Sequence, residues 1–169
     1  MINRRFLEWL DVQFGVLTTG VTKIRTAEEQ AENSRKTGFT TTVNDENYHD
    51  LYMCNTRSLP ELQPYSEWYS SGKKVFPESI RLTPLTLKMW YVTDGSLTHR
   101  VGKRKPMQIG CSNESDRGDF LESLFEDTPI SPRFDGKNLW FGVDDTDTAL
   151  EWMGSPPPGF EYKWEQNTK

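Results

Sequence analysis

The residue best suited to chemistry in this 169-residue chain is Asp94, an acid that closes a predicted helix and is followed by Gly95. The negative end of a helix dipole disfavours a carboxylate, so a positive group such as a metal ion should compensate it. An Asp-Gly pair is also a common turn from a core helix into a strand. The local sequence therefore leaves two interpretations open, a metal-binding acid and a structural turn.

The helix that carries Asp94 is predicted over residues 83–95. Thr83 suits the N-cap, Pro84 suits the first helical position, and Gly95 ends the helix. Its apolar residues repeat at helical spacing and predict one buried face: Leu85, Met89 and Val92, with Trp90 beside them. We therefore expect Asp94 to lie at the end of a mostly buried helix.

A basic hairpin is predicted directly after this helix, over residues 96–111. Four basic residues with no acid among them lie near its bend: Arg100, Lys103, Arg104 and Lys105. Such charges suit contacts with DNA phosphates, and the Gln108 amide can read a base edge in the major groove. The net charge of −5 opposes a general nucleic-acid binder. We expect the acidic excess to lie on other faces, although a very salty host cytoplasm would also explain it.

The rest of the chain predicts an α+β fold made of two similar halves, because Phe6-Leu7-Glu8-Trp9-Leu10 recurs as Phe120-Leu121-Glu122-Ser123-Leu124. We assign residues 1–80 to the first half and 81–169 to the second, together forming one domain with helices packed on one face of the strands. Helices are predicted over residues 1–15, 59–72, 116–125 and 146–153, and hairpins over 39–55 and 130–143. Residues 26–37 fit either an exposed helix or a loop.

The stretch Trp-Tyr-Val-Thr-Asp-Gly-Ser-Leu at residues 90–97, preceded by Leu82-Thr83-Pro84, resembles the signature helix of LAGLIDADG homing endonucleases. The similarity is to a divergent branch that reads roughly W-[FY]-[MV]-x-D-G-S. The tail at residues 156–164, Pro-Pro-Pro-Gly-Phe-Glu-Tyr-Lys-Trp, resembles the closing segment of the same branch. Two features depart from the pattern: Lys88 and Met89 replace small crossing residues, and Thr93 replaces an acid.

The resemblance implies a site-specific endonuclease, or a degenerate remnant of one, that is associated with an intron or intein and hydrolyses phosphodiester bonds of a long double-stranded DNA target. It implies that Asp94 is catalytic and binds Mg²⁺ or Mn²⁺. It also implies that Lys163 reaches the scissile phosphate, although a surface role for Lys163 stays open. The competing hypotheses are a non-catalytic DNA-binding module of the same fold and a structural protein in which Asp-Gly is only a turn.

The repeat also predicts that the first signature helix is missing. Asp94 precedes Phe120 by 26 residues, so an equivalent acid before Phe6 would lie upstream of Met1. Cutting both DNA strands takes two metal-holding centres. We therefore expect no efficient double-strand cleavage unless a second copy or a separate chain supplies the other acid.

The remaining candidate residues give no further site. Cys54 and Cys111 match no metal-ligand or redox spacing, and His49 and His99 are too few and scattered for a zinc site. The sequence contains no signal peptide and no membrane-length apolar run. We therefore predict a cytoplasmic protein with reduced thiols and no membrane partner.

Overall fold

The computed structural model describes residues 3–38, 44–69, 72, 74–98 and 104–165. The chain forms two compact units. The first contains the residues up to Glu61 together with Pro157–Gly159, and the second contains Leu62–Pro156 and the residues from Phe160 onward. The prediction that the two sequence halves make one domain stays a prediction.

The first unit combines two helices with a two-stranded antiparallel sheet. Its elements are α1 (Arg4–Phe14), β1 (Thr18–Arg25), α2 (Ala27–Thr37) and β2 (Leu51–Thr56). Thr26 and Glu29 form a reciprocal cap at the start of α2, so the helical alternative for residues 26–37 is confirmed. β2 pairs with β1, from which α2 separates it in the sequence, and Thr22 lies opposite Met53. The partner strand predicted at residues 39–43 lies outside the described residues.

The second unit packs helices against a four-stranded antiparallel sheet with the order β3-β4-β6-β5. Its elements are α3 (Pro84–Asp94), β3 (Gly95–Leu97), β4 (Met107–Gly110), α4 (Gly118–Ser123), β5 (Arg133–Phe134), β6 (Asn138–Trp140) and α5 (Val143–Met153). A 3₁₀ helix at Pro60–Tyr69 precedes them, and another occupies Glu161–Lys163 in the tail. The helices and antiparallel strands confirm the predicted α+β class.

Helix α3 lies at the centre of the second unit's core. Its fully buried Leu87 and Tyr91 pack with Met107 and Ile109 of β4 and with Leu139 of β6. The predicted buried face is confirmed for Trp90 and Val92 but wrong for Leu85, which is 59% exposed, and Met89 is only half-buried. The buried side chains of α3 are Leu87, Trp90, Tyr91 and Val92. Apolar residues occur on several sides of this helix, so their spacing alone does not fix the side that faces the core.

In the described part of the chain, no helix has the length and apolar character needed to cross a membrane.

Candidate active site at the end of helix α3

Asp94 is the last residue of α3, and its carboxylate is exposed at the point where the helix leaves the core. The Thr83 side chain caps the other end of the helix by accepting a hydrogen bond from the Thr86 N–H at 3.1 Å. The Thr93 hydroxyl donates to Asp94 Oδ2 at 3.0 Å. The helix thus presents an exposed carboxylate at its C-terminal end, where the sequence predicted it, although only four of its 11 side chains are buried.

Gly95 connects α3 directly to β3, and it is needed for space rather than for an unusual backbone conformation. Its φ of −98° is one that other residues adopt readily. A Cβ atom at this position would lie 2.1 Å from Tyr91 Cδ2 and 2.6 Å from the Tyr91 carbonyl oxygen. The Tyr91 ring therefore packs where a side chain would stand. The Asp-Gly pair is a close helix-to-strand junction and not a left-handed turn.

Lys163, in the tail, places its ammonium at this same helix end. Nζ donates hydrogen bonds to the carbonyl oxygens of Gly95 at 2.6 Å, Val92 at 2.8 Å and Tyr91 at 3.2 Å. The ammonium also lies 5.5 Å from the centre of the Tyr91 ring and 5.4 Å from that of Phe160. In return, the Tyr91 hydroxyl donates to the Lys163 carbonyl oxygen at 2.8 Å. Lys163 is thus a C-terminal cap of α3.

The charges of Lys163 and Asp94 influence each other. Burial lowers the pKa of Lys163, and the negative charge of Asp94 acts in the opposite direction. An ammonium at the C-terminal end of a helix also interacts favourably with the helix dipole. The structure therefore contains a protein cation at the place where the sequence argument called for a metal ion.

A small cleft of about 150 Å³ opens beside Asp94. Its lining comes from the end of α3, the end of β4 and the segment after it: Lys74, Phe76, Trp90, Asp94, Gly110, Cys111, Ser112, Asn113 and Glu114. Glu114 is buried, and its carboxylate accepts hydrogen bonds from the Phe76 N–H at 2.6 Å and from Arg117 at 2.9 Å. Burial raises the pKa of Cys111 to about 12, which keeps that side chain a neutral thiol. Asp94 is therefore the exposed acid of this cleft.

A second and more apolar groove of about 240 Å³ runs along the outer side of α3. Thr86, Met89 and Thr93 contribute from the helix, and Trp68, Ile80, Leu82 and Leu124 are among the residues on the other side. Asp94 lines this groove as well. The carboxylate therefore stands between a polar cleft and an apolar groove.

Asp94 offers a hard oxygen ligand of the kind that Mg²⁺ and Mn²⁺ prefer. The described residues contain no group of three or more acids, histidines or cysteines placed to hold a metal ion. Magnesium commonly takes one or two protein carboxylates and fills its other positions with water and substrate phosphates. The chemistry of Asp94 is therefore compatible with such a cation, and Ser112 and Asn113 bring further oxygen atoms to the lining of the cleft.

The two strands of the hairpin predicted over residues 96–111 are paired, β3 with β4, so that Ser96 lies opposite Gln108, and DNA binding by this hairpin stays a prediction. The Gln108 amide donates to the Ser96 hydroxyl at 3.1 Å. Arg104 forms ion pairs with Asp144 and Asp147 of α5, acids that the sequence analysis did not connect with it. The Lys105 ammonium contacts the Glu165 carbonyl oxygen at 3.4 Å. Arg100 and Lys103 lie outside the described residues.

A model of the LAGLIDADG DNA endonuclease family matches residues 2–117, which include α3, the Asp-Gly junction and the β3–β4 hairpin. No curated protein and no solved structure shows a significant match. The chain belongs to the LAGLIDADG DNA endonuclease family, because the match covers more than half of its 169 residues. The family implies a homing endonuclease that cleaves DNA.

Proposed function

We propose that this protein is a metal-dependent, site-specific DNA endonuclease whose catalytic centre is built on Asp94. The observation that carries the proposal is the exposed Asp94 carboxylate at the end of the motif helix, beside an open cleft and next to the β3–β4 hairpin. Asp94 would hold Mg²⁺ or Mn²⁺ together with DNA phosphate oxygens and water. Association with an intron or intein and a cytoplasmic location stay predictions.

The chain's own residues have separable tasks in this proposal. Asp94 would hold the cation, which would supply Lewis-acid activation of a water molecule or of the leaving oxygen. Gly110 of β4 lines the cleft close to the Asp94 backbone. Because it has no side chain, it leaves space for a ligand to approach the Asp94 carboxylate. The part-buried ion pair between Glu114 and Arg117 holds the Phe76 backbone that forms another wall. Lys163 is argued separately below.

The β3–β4 hairpin is the proposed DNA-binding element. Lys105 and Arg104 lie at the start of its second strand, and the bend residues Arg100 and Lys103 are proposed to add phosphate contacts. Arg104 can bind a phosphate after it leaves Asp144 and Asp147. Since exposed ion pairs contribute little to stability, DNA can compete for this arginine. Gln108 can read a base edge after its amide turns away from Ser96.

Cleavage of both strands would then depend on how many catalytic centres of the Asp94 type bind at the same DNA target. One centre hydrolyses one phosphodiester bond, so a double-strand break takes a second metal-holding acid from another copy or another chain. The outer side of α3 supports such a contact, because Leu85 is exposed and Met89 lines an open groove. Lys88 opposes close approach of two identical helices by its charge and length.

The test is incubation of the purified chain with a supercoiled plasmid library and Mg²⁺ or Mn²⁺, followed by gel analysis and sequencing of the DNA ends. We expect sequence-specific nicks that disappear with Asp94→Asn and persist with the control Asp116→Asn, which changes an exposed acid outside the cleft. Linear product should rise more steeply with protein concentration than nicked product. Cleavage that is unaffected by Asp94→Asn would refute the proposal.

The second candidate function is DNA binding without cleavage. It is favoured because two cations of the second unit are already bound within the chain, Arg104 to the acids of α5 and Lys163 to the carbonyls of α3. Sequence-selective binding without nicks at any concentration of Mg²⁺ or Mn²⁺ would support this candidate. Absence of both binding and cleavage would leave a structural protein.

A further inference from the structure

We infer that Lys163 is a positioning residue for Asp94 and does not contact the scissile phosphate. The inference rests on the proposed role of Asp94 as the metal ligand. The structural basis is that the Lys163 ammonium reaches the helix end that carries Asp94 through main-chain carbonyls on both sides of it, Val92 before and Gly95 after. This arrangement fixes the backbone from which the Asp94 side chain projects.

The hydrogen-bond count of the ammonium supports this assignment. A lysine ammonium has three N–H donors and no acceptor. The three carbonyl oxygens of Tyr91, Val92 and Gly95 lie within 3.2 Å of Nζ and can use all three. A hydrogen bond to a phosphate would therefore require the loss of at least one helix contact.

The surroundings of the ammonium also hold it in place. The rings of Tyr91 and Phe160 lie within 5.5 Å of Nζ, a distance at which a cation is attracted to an aromatic face. The next residue, Trp164, is anchored by its indole N–H, which donates to the Gly154 carbonyl oxygen at 2.9 Å. The Tyr91 hydroxyl holds the Lys163 main chain. The side chain and backbone of Lys163 are thus both tied to the second unit.

The position also has an electrostatic consequence. A helix end with an acid as its last residue carries two unfavourable negative contributions, the carbonyl dipoles and the carboxylate. The Lys163 ammonium offsets the carbonyl dipoles by direct contact, and the Asp94 charge acts to raise the pKa of Lys163 against the lowering by burial. Without this ammonium, the end of α3 should open more often and the carboxylate should sample more orientations.

The first test is a double-mutant cycle on thermal stability. Lys163→Met should lower Tm by roughly 5 °C or more, since it leaves buried carbonyls without their charged donor. The drop should be smaller in the Asp94→Asn background, because part of the contribution of Lys163 is its attraction to that carboxylate. The matched control is Lys36→Met, which removes a 71% exposed lysine from α2 and should leave Tm nearly unchanged. Equal drops in both Asp94 backgrounds would overturn the coupling.

The second test separates positioning from phosphate contact by the salt dependence of DNA binding. A lysine that binds a phosphate contributes about one unit to the slope of log affinity against log salt. Lys163→Met should leave this slope unchanged when binding is measured with EDTA or Ca²⁺. A slope reduced by about one unit would show a phosphate contact and overturn the inference.

The third test follows the Asp94 junction itself. The Gly95 N–H donates to the Tyr91 carbonyl oxygen, so its hydrogen exchange reports on opening of the helix end. Exchange should speed up in Lys163→Met and return towards the wild-type rate in Lys163→Arg, because a guanidinium can also donate to C-terminal carbonyls. Half-maximal nicking should require more Mn²⁺ in Lys163→Met, a change that a loss of folded protein would not produce. If the wild-type chain does not nick DNA, the proposed function fails, while stability, salt slope and exchange still decide this inference.

Discussion

Replacement of Gly95 by alanine should destabilise the second unit strongly, although the backbone conformation at this position suits alanine. The new methyl group would lie 2.1 Å from a ring carbon of Tyr91 and 2.6 Å from the carbonyl oxygen of the same residue. The ring is fully buried, and its hydroxyl is held by Lys163, so it cannot swing away without further losses. The carbonyl oxygen is also part of the last turn of α3.

The expected cost follows from these contacts. Overpacking of a well-packed core typically costs about 1–3 kcal/mol, and the involvement of a main-chain atom places Gly95→Ala at the upper end, about 3 kcal/mol. For a chain of this size, that cost corresponds to a Tm lower by roughly 6–12 °C. The matched control is Gly110→Ala, whose methyl group would find its nearest neighbour at 3.6 Å and should change Tm little.

The assay is thermal unfolding monitored by near-ultraviolet circular dichroism, since tryptophan and tyrosine side chains surround the junction. Equal Tm values for Gly95→Ala and Gly110→Ala would refute the reasoning. They would mean that the Tyr91 ring moves easily and that the glycine of the motif is not needed for space.

Three other perturbations follow from the charged residues of the second unit. Asp144→Asn combined with Asp147→Asn should raise DNA affinity at low salt, because Arg104 is released from both acids. The slope of log affinity against log salt should become steeper by up to about one unit. An unchanged slope in a filter-binding titration would contradict this. Lys103→Ala combined with Lys105→Ala should lower the same slope by about one to two units, and an unchanged slope would place DNA elsewhere. The pKa of Asp135 is lowered from 3.8 to about 2, chiefly by the hydrogen bond from the Asn138 N–H. The stabilising contribution of Asp135 is therefore present above pH 3.8 and is lost as the pH falls towards 2. The Tm difference between wild type and Asp135→Ala should shrink over that range, and a constant difference would argue against the contact.

The local rules of helix capping predicted α3 well because its signals are local. Thr83, Pro84 and Gly95 stand at the positions that the sequence analysis gave them. Other elements depended on information from outside the segment. The helix at Pro60–Tyr69 is 3₁₀ rather than α and contains Pro64, which lacks the N–H that an α-helical interior requires. β2 pairs with β1, although α2 lies between these two strands in the sequence. The turn residues next to β2 do not indicate this pairing.

The sequence predicted the position of the Asp94 carboxylate but not the residues that surround it. The carboxylate at a helix C-terminus indicated that a positive group was needed, and Asp94 is exposed where the motif places it. The cation that the structure supplies is Lys163, which is 69 residues away in sequence and is carried there by the fold of the tail. Similarly, no periodicity connects Arg104 with Asp144 and Asp147. Contacts of this kind depend on tertiary packing, which spacing rules do not describe.

The internal partners of the basic residues bear on how an acidic protein with a net charge of −5 binds DNA. Three of the described cations near the site already interact within the chain: Arg104 with two acids, Lys105 with a main-chain carbonyl and Lys163 with the end of α3. Phosphate binding by such residues exchanges one favourable contact for another, so the net gain from a random DNA segment is small. Under the proposed function, a cognate site would add base contacts and a metal ion shared between phosphate and Asp94, which random sequence without a fitting geometry would not supply. The intramolecular contacts of these cations weaken non-specific binding. They should therefore increase the ratio of the affinity for target DNA to the affinity for non-specific DNA.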